Sequence, residues 1–410
     1  MTVTDSNRPH AYQPGTPTHL RAINERSLLE YLRKHGPTSR AQLARETGLS
    51  KPTVSQALAN LEQANLVHPT GQATSNKGGR VAILYETNPK AGYVLGIDVG
   101  RGWVRIAVAD LAGQIVERRD EKNTTQSAAT LVALISRLSR DLVVGAGLTW
   151  DQVIHVVIGT PGVFDAQNER VRFASNLPEW GRHGLLAELR EAFGLSLSIE
   201  NDANLAALGE RTFGWGAEAR TFVYITIGTG VGMGIIIDGT LYRGAGGAAG
   251  EIGFLPFGAQ EASTQITEIG ENYLGMLEEA TSAQGIARQA QTLGLPSTLS
   301  VRQIFDAAQQ GNQVALAVVK QEGEKLALAI AAITAVLDPE LIVLGGGIGQ
   351  RGELLSEPLQ HKLQQLLPSW PRIVATRLGG DSILLGSIAI GLDIAQDLVF
   401  QRYFNQVSHS

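Results

Sequence analysis

The sequence predicts an α/β chain of two unlike parts, a small N-terminal winged helix-turn-helix domain and a two-lobed, glycine-rich body. Three observations carry this. Two short, capped helical segments separated by a glycine fill residues 39–66. A strand, glycine turn, strand pattern begins at residue 91 and recurs beyond residue 220. Charge also changes sign between the parts: residues 1–90 hold 11 Lys and Arg against 6 Asp and Glu, a net +5, which leaves 23 against 33, a net −10, for the remainder.

In chain order, residues 1–17 are polar and proline-bearing and read as a disordered arm, and the head is expected over 18–88. Leu28, Leu29 and Leu32 mark a supporting first helix that stops at His35-Gly36-Pro37. Ser39 caps a short second helix, which Gly48 ends, opening the turn into a third. That third helix is capped by Ser50 and carries Pro52 in its first turn, where a missing N–H costs little. Val54, Leu58 and Leu61 form its apolar stripe. Ser50, Lys51, Thr53, Ser55, Gln56 and Asn60 remain for a nucleic-acid surface, and Gln or Asn can bond adenine bidentately in a major groove. Leu66–Pro69 and Val81–Tyr85 flank a polar tip and read as a β-wing, with Lys77 and Arg80 near its end. A three-helix unit that only mediates protein contacts has the same spacing. A basic head on an acidic body argues instead for double-stranded DNA, because only the head should meet the polyanion.

Composition bounds the rest. At 43% hydrophobic and 18% charged residues, the chain is expected to be a globular protein. No uninterrupted apolar run reaches the roughly 20 residues that span a bilayer, and no hydrophobic signal core opens the chain, so no membrane partner and a cytoplasmic location are expected. With no cysteine there is no disulfide, thiolate metal site or cysteine nucleophile.

The body should form two lobes, the first over 91–200 completed by 380–400, the second over 201–379. Tyr93–Gly100, Val104–Ala109 and Gln114–Glu117 read as a three-stranded meander, followed by a helix near 127–145 and a strand Val153–Ile158 running into Gly159-Thr-Pro-Gly162. Thr221–Gly239 repeats the strand, turn, strand pattern, and Leu341–Gly347 ends another buried strand. Duplication implies a cleft between the lobes. The small-residue helix near Ile383–Ala395 is expected to return to the first lobe.

At Ile225–Gly234 and Arg243–Gly253, Ile-Thr-Ile-Gly-Thr-Gly-Val-Gly-Met-Gly through Arg-Gly-Ala-Gly-Gly-Ala-Ala-Gly-Glu-Ile-Gly, the chain resembles the repressor, open reading frame and kinase (ROK) family of sugar-binding proteins. The resemblance implies an actin-like, two-lobed ATPase fold, and the head is similar to that of the family's transcriptional repressors. It further implies that Asn201 and Asp202 bond sugar hydroxyls, that the loops holding Asn176 and Gly162 close the pocket, and that Glu251 and Glu278 accept sugar hydroxyl bonds. Locally, Asn201-Asp202 reads equally as a turn or helix cap.

Two departures from the family pattern bear on chemistry. Phe254 stands where the family has a zinc-ligating histidine, the following cysteines are missing, and no histidine lies between His183 and His361, so no metal is expected. Phe254 can stack on a sugar or fill the core; core packing is the preferred reading. Second, Asp98-Val-Gly-Arg101-Gly-Trp103 puts bulky residues where family kinases keep small ones against phosphate. The expectation is therefore a sugar-responsive DNA-binding repressor without catalytic residues or cofactor, a homodimer or homotetramer taking a monosaccharide such as xylose or glucose. A sugar kinase with a fused head, using Asp202 as base, is the rival, and an activator a third reading.

Overall fold

The helices of the head form where the sequence supplies a cap and one apolar stripe. The computed structural model describes residues 17–73, 82–165, 167–174, 176–256 and 275–408. They fall into two compact units. The described residues up to Tyr93, with Asp110–Gln114 and the chain from Asp393, make the smaller; Val94–Ala109 and Ile115–Leu392 make the larger.

In the smaller unit, α1 (Pro17–His35), α2 (Arg40–Thr47) and α3 (Lys51–Gln63) follow one another. Ser39 Oγ accepts the Gln42 N–H at 3.3 Å and Ser50 Oγ accepts that of Thr53 at 3.2 Å, so both predicted caps are in place. Gly48 turns left-handed, with φ +72°, a conformation a Cβ makes costly. Val67–Ala73 and Ala82–Thr87 pair antiparallel as the wing, and a short strand Thr38–Ser39 adds to the edge of the latter. Leu28, Leu32, Leu43, Val54, Leu58 and Leu61 are all at most 1% exposed. Burying each contributes about 1.5–3 kcal/mol. Phe400 and Tyr403, from the chain's last helix, complete this core.

The larger unit carries two five-stranded sheets of the same topology. In the first, Tyr93–Val99, Trp103–Asp110 and Ile115–Lys122 lie side by side, and Val153–Thr160 and then Leu197–Asn201 extend the free edge of the first strand. In the second, Phe222–Ile227, Val231–Ile237 and Thr240–Leu241 take the meander places, and Leu341–Gly345 and Arg372–Ala375 extend the edge. The edge strands pair parallel in both, Val153–Thr160 with Leu197–Asn201 and Leu341–Gly345 with both its neighbours. The duplication read from the glycine turns is thus a duplication of strand order.

The helix Ser382–Ser408 differs from expectation in two ways. Residues to Leu392 belong to the larger unit, where Gly386 lies so close to the helix Asp202–Phe213 that a Cβ there would sit 1.8 Å from the Leu205 carbonyl oxygen. Those from Asp393 belong to the smaller unit, whereas the sequence placed 380–400 with the first lobe. The span Gly379–Asn405 also holds a stretch long and apolar enough to cross a membrane, against the expectation that no segment is. Polar residues such as Ser387 and Asp393 interrupt it, so its sequence holds no unbroken apolar run. Its apolar side is used inside the protein: Leu384, Ile388 and Ala395 are fully buried.

Candidate functional site

The third helix presents the predicted nucleic-acid surface. Lys51 and Gln56 are exposed and Thr53 and Ser55 half-exposed, opposite the buried Val54, Ala57, Leu58 and Leu61. Two predicted contacts prove to be engaged within the head. Ser50 Oγ serves the cap and lies 2.8 Å from Thr53 Oγ1. Asn60 does not point freely outward: its Nδ2 donates to buried Glu25 at 2.8 Å, and its Oδ1 accepts from Gln56 Nε2 at 3.0 Å. The apolar periodicity could not reveal this, because Glu25 lies on another helix. Lys77 and Arg80 lie outside the described residues.

In the body, Gly162 and Asn201-Asp202 lie at or just past the carboxyl ends of the strands Val153–Thr160 and Leu197–Asn201, where open α/β sheets hold their ligands. Asn201 ends the strand Leu197–Asn201 and caps the helix that follows, its Oδ1 accepting the Asn204 N–H at 3.1 Å. Its Nδ2 donates to the Gly162 carbonyl at 3.0 Å. The cap reading holds, and the same side chain ties the end of this strand to the Gly162 loop. Gly162 itself has φ +91°, and a Cβ there would stand 2.4 Å from the Arg172 carbonyl oxygen. Both facts require glycine. Across the site, a Cβ on Gly230 would fall 2.6 Å from Glu278 Oε1 and 3.7 Å from Asn176 Nδ2, so these two side chains converge on the second glycine turn.

The carboxylates crowd one another. Burial, followed by the charges of Asp98 and Glu251, pushes Asp202 up to about 7, against the partial relief of the Ala203 N–H, which donates to Asp202 Oδ1 at 2.8 Å. Burial and the neighbouring Glu278 likewise push Glu251 up to about 7. Glu278 is raised by burial and held back by the Val231 N–H. Such a cluster is costly without donors and is suited to a ligand that brings several hydroxyl groups.

Sequence reasoning missed a neighbouring arginine. Arg243 donates from Nε and Nη2 to Glu200 Oε2 at 2.8 and 2.7 Å, while Glu200 Oε1 accepts from Asn204 Nδ2 at 2.9 Å. Glu200 thus braces the Asn201–Asn204 turn. The signal was present only as an acidic residue beside Asn201.

The first glycine turn is altered as expected, and more thoroughly. Arg101 and Trp103 are exposed at the turn, and the carbonyl of Trp103 accepts the Gly100 N–H at 2.9 Å. Asp98, 3% exposed, receives Arg105 Nη1 at 2.8 Å, and Arg118 links Asp120 to Asp381 beside it. Burial raises Asp98 while Arg105 pulls it back. The carboxylate that survives from the kinase pattern is held by a cation of its own chain.

Phe254 overturns the core reading. It is 39% exposed and packs edge-on against Phe173, with ring centroids 5.5 Å apart. The loop after it, 257–274, lies outside the described residues. Among the described residues no group of three or more His, Asp or Glu is arranged to hold a metal ion.

Comparison with known proteins agrees with both halves. Residues 22–75 match the MarR family and residues 94–393 the ROK family. The xylose repressor of Caldicellulosiruptor bescii is 28% identical over 95% of this chain and 100% of that protein. The glucokinase of Thermotoga maritima is 30% identical over 72% of this chain and 96% of its own length. Among solved structures, a ROK family transcriptional regulator, described as a homologue of the E. coli Mlc protein, superposes with a TM-score of 0.75 at 24% identity, covering 94% of this chain and 99% of the other. A ROK family glucokinase from Streptomyces griseus, solved with glucose and AMPPNP, superposes at 0.60 with 28% identity, over 75% and 100% of the two chains. From its glycine turns, its duplicated sheets and the match over residues 94–393, the chain belongs to the ROK family.

Proposed function

We propose that this protein is a sugar-responsive transcriptional repressor whose body binds a monosaccharide such as xylose or glucose and whose head binds operator DNA. The observation that carries the reading is the crowding of Asp202, Glu251 and Glu278 beside Asn176, in a chain whose head carries an exposed, capped recognition helix. Ionised carboxylates accept several hydrogen bonds each, which a polyhydroxy ligand supplies. Relatives covering nearly the whole chain are named xylose repressors, which supports both the sugar class and the sign of regulation. Regulation requires the sugar to bind one state of the protein better than the other, since equal affinity shifts nothing.

In this reading Asn201, Asp202, Glu251 and Glu278 bond the sugar, Asn176 and Gly162 shape its pocket, and Lys51, Thr53, Ser55 and Gln56 face DNA, with Lys77 and Arg80 at the wing. A homodimer or homotetramer in the cytoplasm fits a palindromic operator with half-sites about 34–36 Å apart, or a multiple of that. The protein is not a kinase. Asp98 is paired with Arg105, and Arg101 and Trp103 occupy the phosphate turn. Glucokinases among the relatives make this worth testing directly: a coupled ADP-release assay with glucose and xylose should stay at background. The central test is operator binding by the full-length protein, titrated with xylose, glucose and N-acetylglucosamine. Release by one of them supports the reading, and indifference to all common sugars sinks it.

A further inference from the structure

The recognition helix does not act alone in presenting Gln56. On the reading of α3 as the base-contacting helix, on which this inference rests, we infer that Glu25 and Tyr403 fix the sense in which Gln56 offers its amide to a base edge. They are positioning residues for sequence readout, and one belongs to the chain's last helix.

The geometry is a relay of five residues inside the head. Tyr403 Oη donates to Glu25 Oε2 at 3.0 Å, and Arg21 donates to Glu25 Oε1 from Nε at 2.9 Å and to Tyr403 Oη from Nη2 at 3.5 Å. Asn60 Nδ2 donates to Glu25 Oε1 at 2.8 Å. Gln56 Nε2 then donates to Asn60 Oδ1 at 3.0 Å, one helical turn away. Glu25 is 2% exposed and Tyr403 8%, whereas Gln56 is exposed.

The consequence follows from donor and acceptor chemistry. A carboxylate paired with Arg21 only accepts, so Asn60 must turn its NH2 inward and its carbonyl toward Gln56. Gln56 must then give one N–H to that carbonyl. Its remaining N–H and its Oε1 are left side by side, the donor and acceptor pair that adenine N7 and N6–H2 require in the major groove. With the opposite sense at Asn60, Gln56 would turn its oxygen inward and its NH2 outward, so that donors would lead toward the base. Tyr403 matters because its hydroxyl holds Oε2, which aims Oε1 at Asn60.

The test measures base preference, which loss of general support does not change at one position. Full-length protein and the variants Gln56→Ala, Asn60→Ala, Tyr403→Phe and Glu25→Met are assayed against an operator panel carrying every single base-pair change. Gln56→Ala should lose discrimination at one base pair. Tyr403→Phe, which removes only a hydroxyl, should relax discrimination at that same pair by about 2- to 10-fold, leaving affinity for unrelated DNA and its salt dependence unchanged. Asn60→Ala should do the same, and so should Glu25→Met if it folds; the conservative Tyr403→Phe decides the matter if it does not. Equal weakening at every position would mean structural support only and overturn the inference. So would an unchanged profile for Tyr403→Phe and Asn60→Ala when Gln56→Ala has an effect. If Gln56→Ala itself changes no base preference, it is the base-reading role of Gln56 that fails, and the inference falls with it.

Discussion

Glu25 in the head and Asp202 in the body are both carboxylates removed from water, yet their surroundings are opposite. Glu25 receives three side-chain donors, from Arg21, Asn60 and Tyr403. Among the described residues Asp202 receives backbone N–H groups alone, and it faces the charges of Asp98 and Glu251. Burial among like charges without side-chain donors raises the cost of ionising Asp202. A carboxylate whose acceptors are already filled holds structure. One left with open acceptors among like charges is poised for a ligand that donates.

The difference can be broken most sharply at Asp202. Asp202→Ala should fold and bind operator as the unmodified protein does, but respond to sugar only at roughly 5- to 150-fold higher concentration, the cost of one unpaired hydroxyl in a buried site. An unchanged midpoint in the sugar titration would place the effector elsewhere. At Glu25 the outcome should be reversed. Glu25→Leu leaves Arg21, Asn60 and Tyr403 without their acceptor and should lower stability by about 1–3 kcal/mol, read as an earlier denaturation midpoint, while isothermal titration finds the same sugar affinity. A shifted sugar affinity in that variant would erase the distinction between the two carboxylates.

The pH dependence sharpens the same contrast. Asp202 and Glu251 are raised to about 7 in the folded chain, above the ordinary carboxyl range. Their contribution to the stability of the unliganded protein is therefore fully present below that ordinary range and is lost as pH rises through about 7. A sugar whose hydroxyls donate to the ionised carboxylates favours the deprotonated form. Its affinity should rise from pH 6 to pH 8, by up to about tenfold per group. Asp202→Asn should flatten part of that rise. Affinity that falls over this interval would mean that the neutral acids donate to the sugar.

Much of this was legible from residue order alone, and the exceptions share a cause. Ser39, Gly48 and Ser50 mark helix ends because capping is settled within a few residues, and the structure puts each where the sequence did. The repeated strand order was legible from glycine turns for the same reason. Asn60 was misread because its partner, Glu25, is 35 residues away, and Tyr403 is 378 residues from Glu25. Arg105 was invisible as a partner of Asp98 because only pairing of adjacent strands brings them together. Phe254 was assigned to the core on its apolarity, a property that says nothing about which side of a turn it faces. Local rules locate elements; the polar connections between them need coordinates.

The smallest expected effect tests whether the head meets phosphate in the way its charge suggests. Lys51 is exposed at the start of α3, beside the capped N-terminus whose N–H groups already favour an anion. A lysine on a phosphate releases about one counterion, so Lys51→Ala should make the slope of log affinity against log salt shallower by about 0.9. It should weaken binding to operator and to unrelated DNA by the same factor, since phosphate carries no sequence. Gln56→Ala should do the converse, leaving the slope unchanged while relaxing one base position by about 1–3 kcal/mol. The measurement is a salt series of fluorescence anisotropy titrations on both DNAs with all three proteins. If Lys51→Ala leaves the slope as it was, Lys51 does not reach a phosphate, and the +5 charge of residues 1–90 must act through the remaining basic residues.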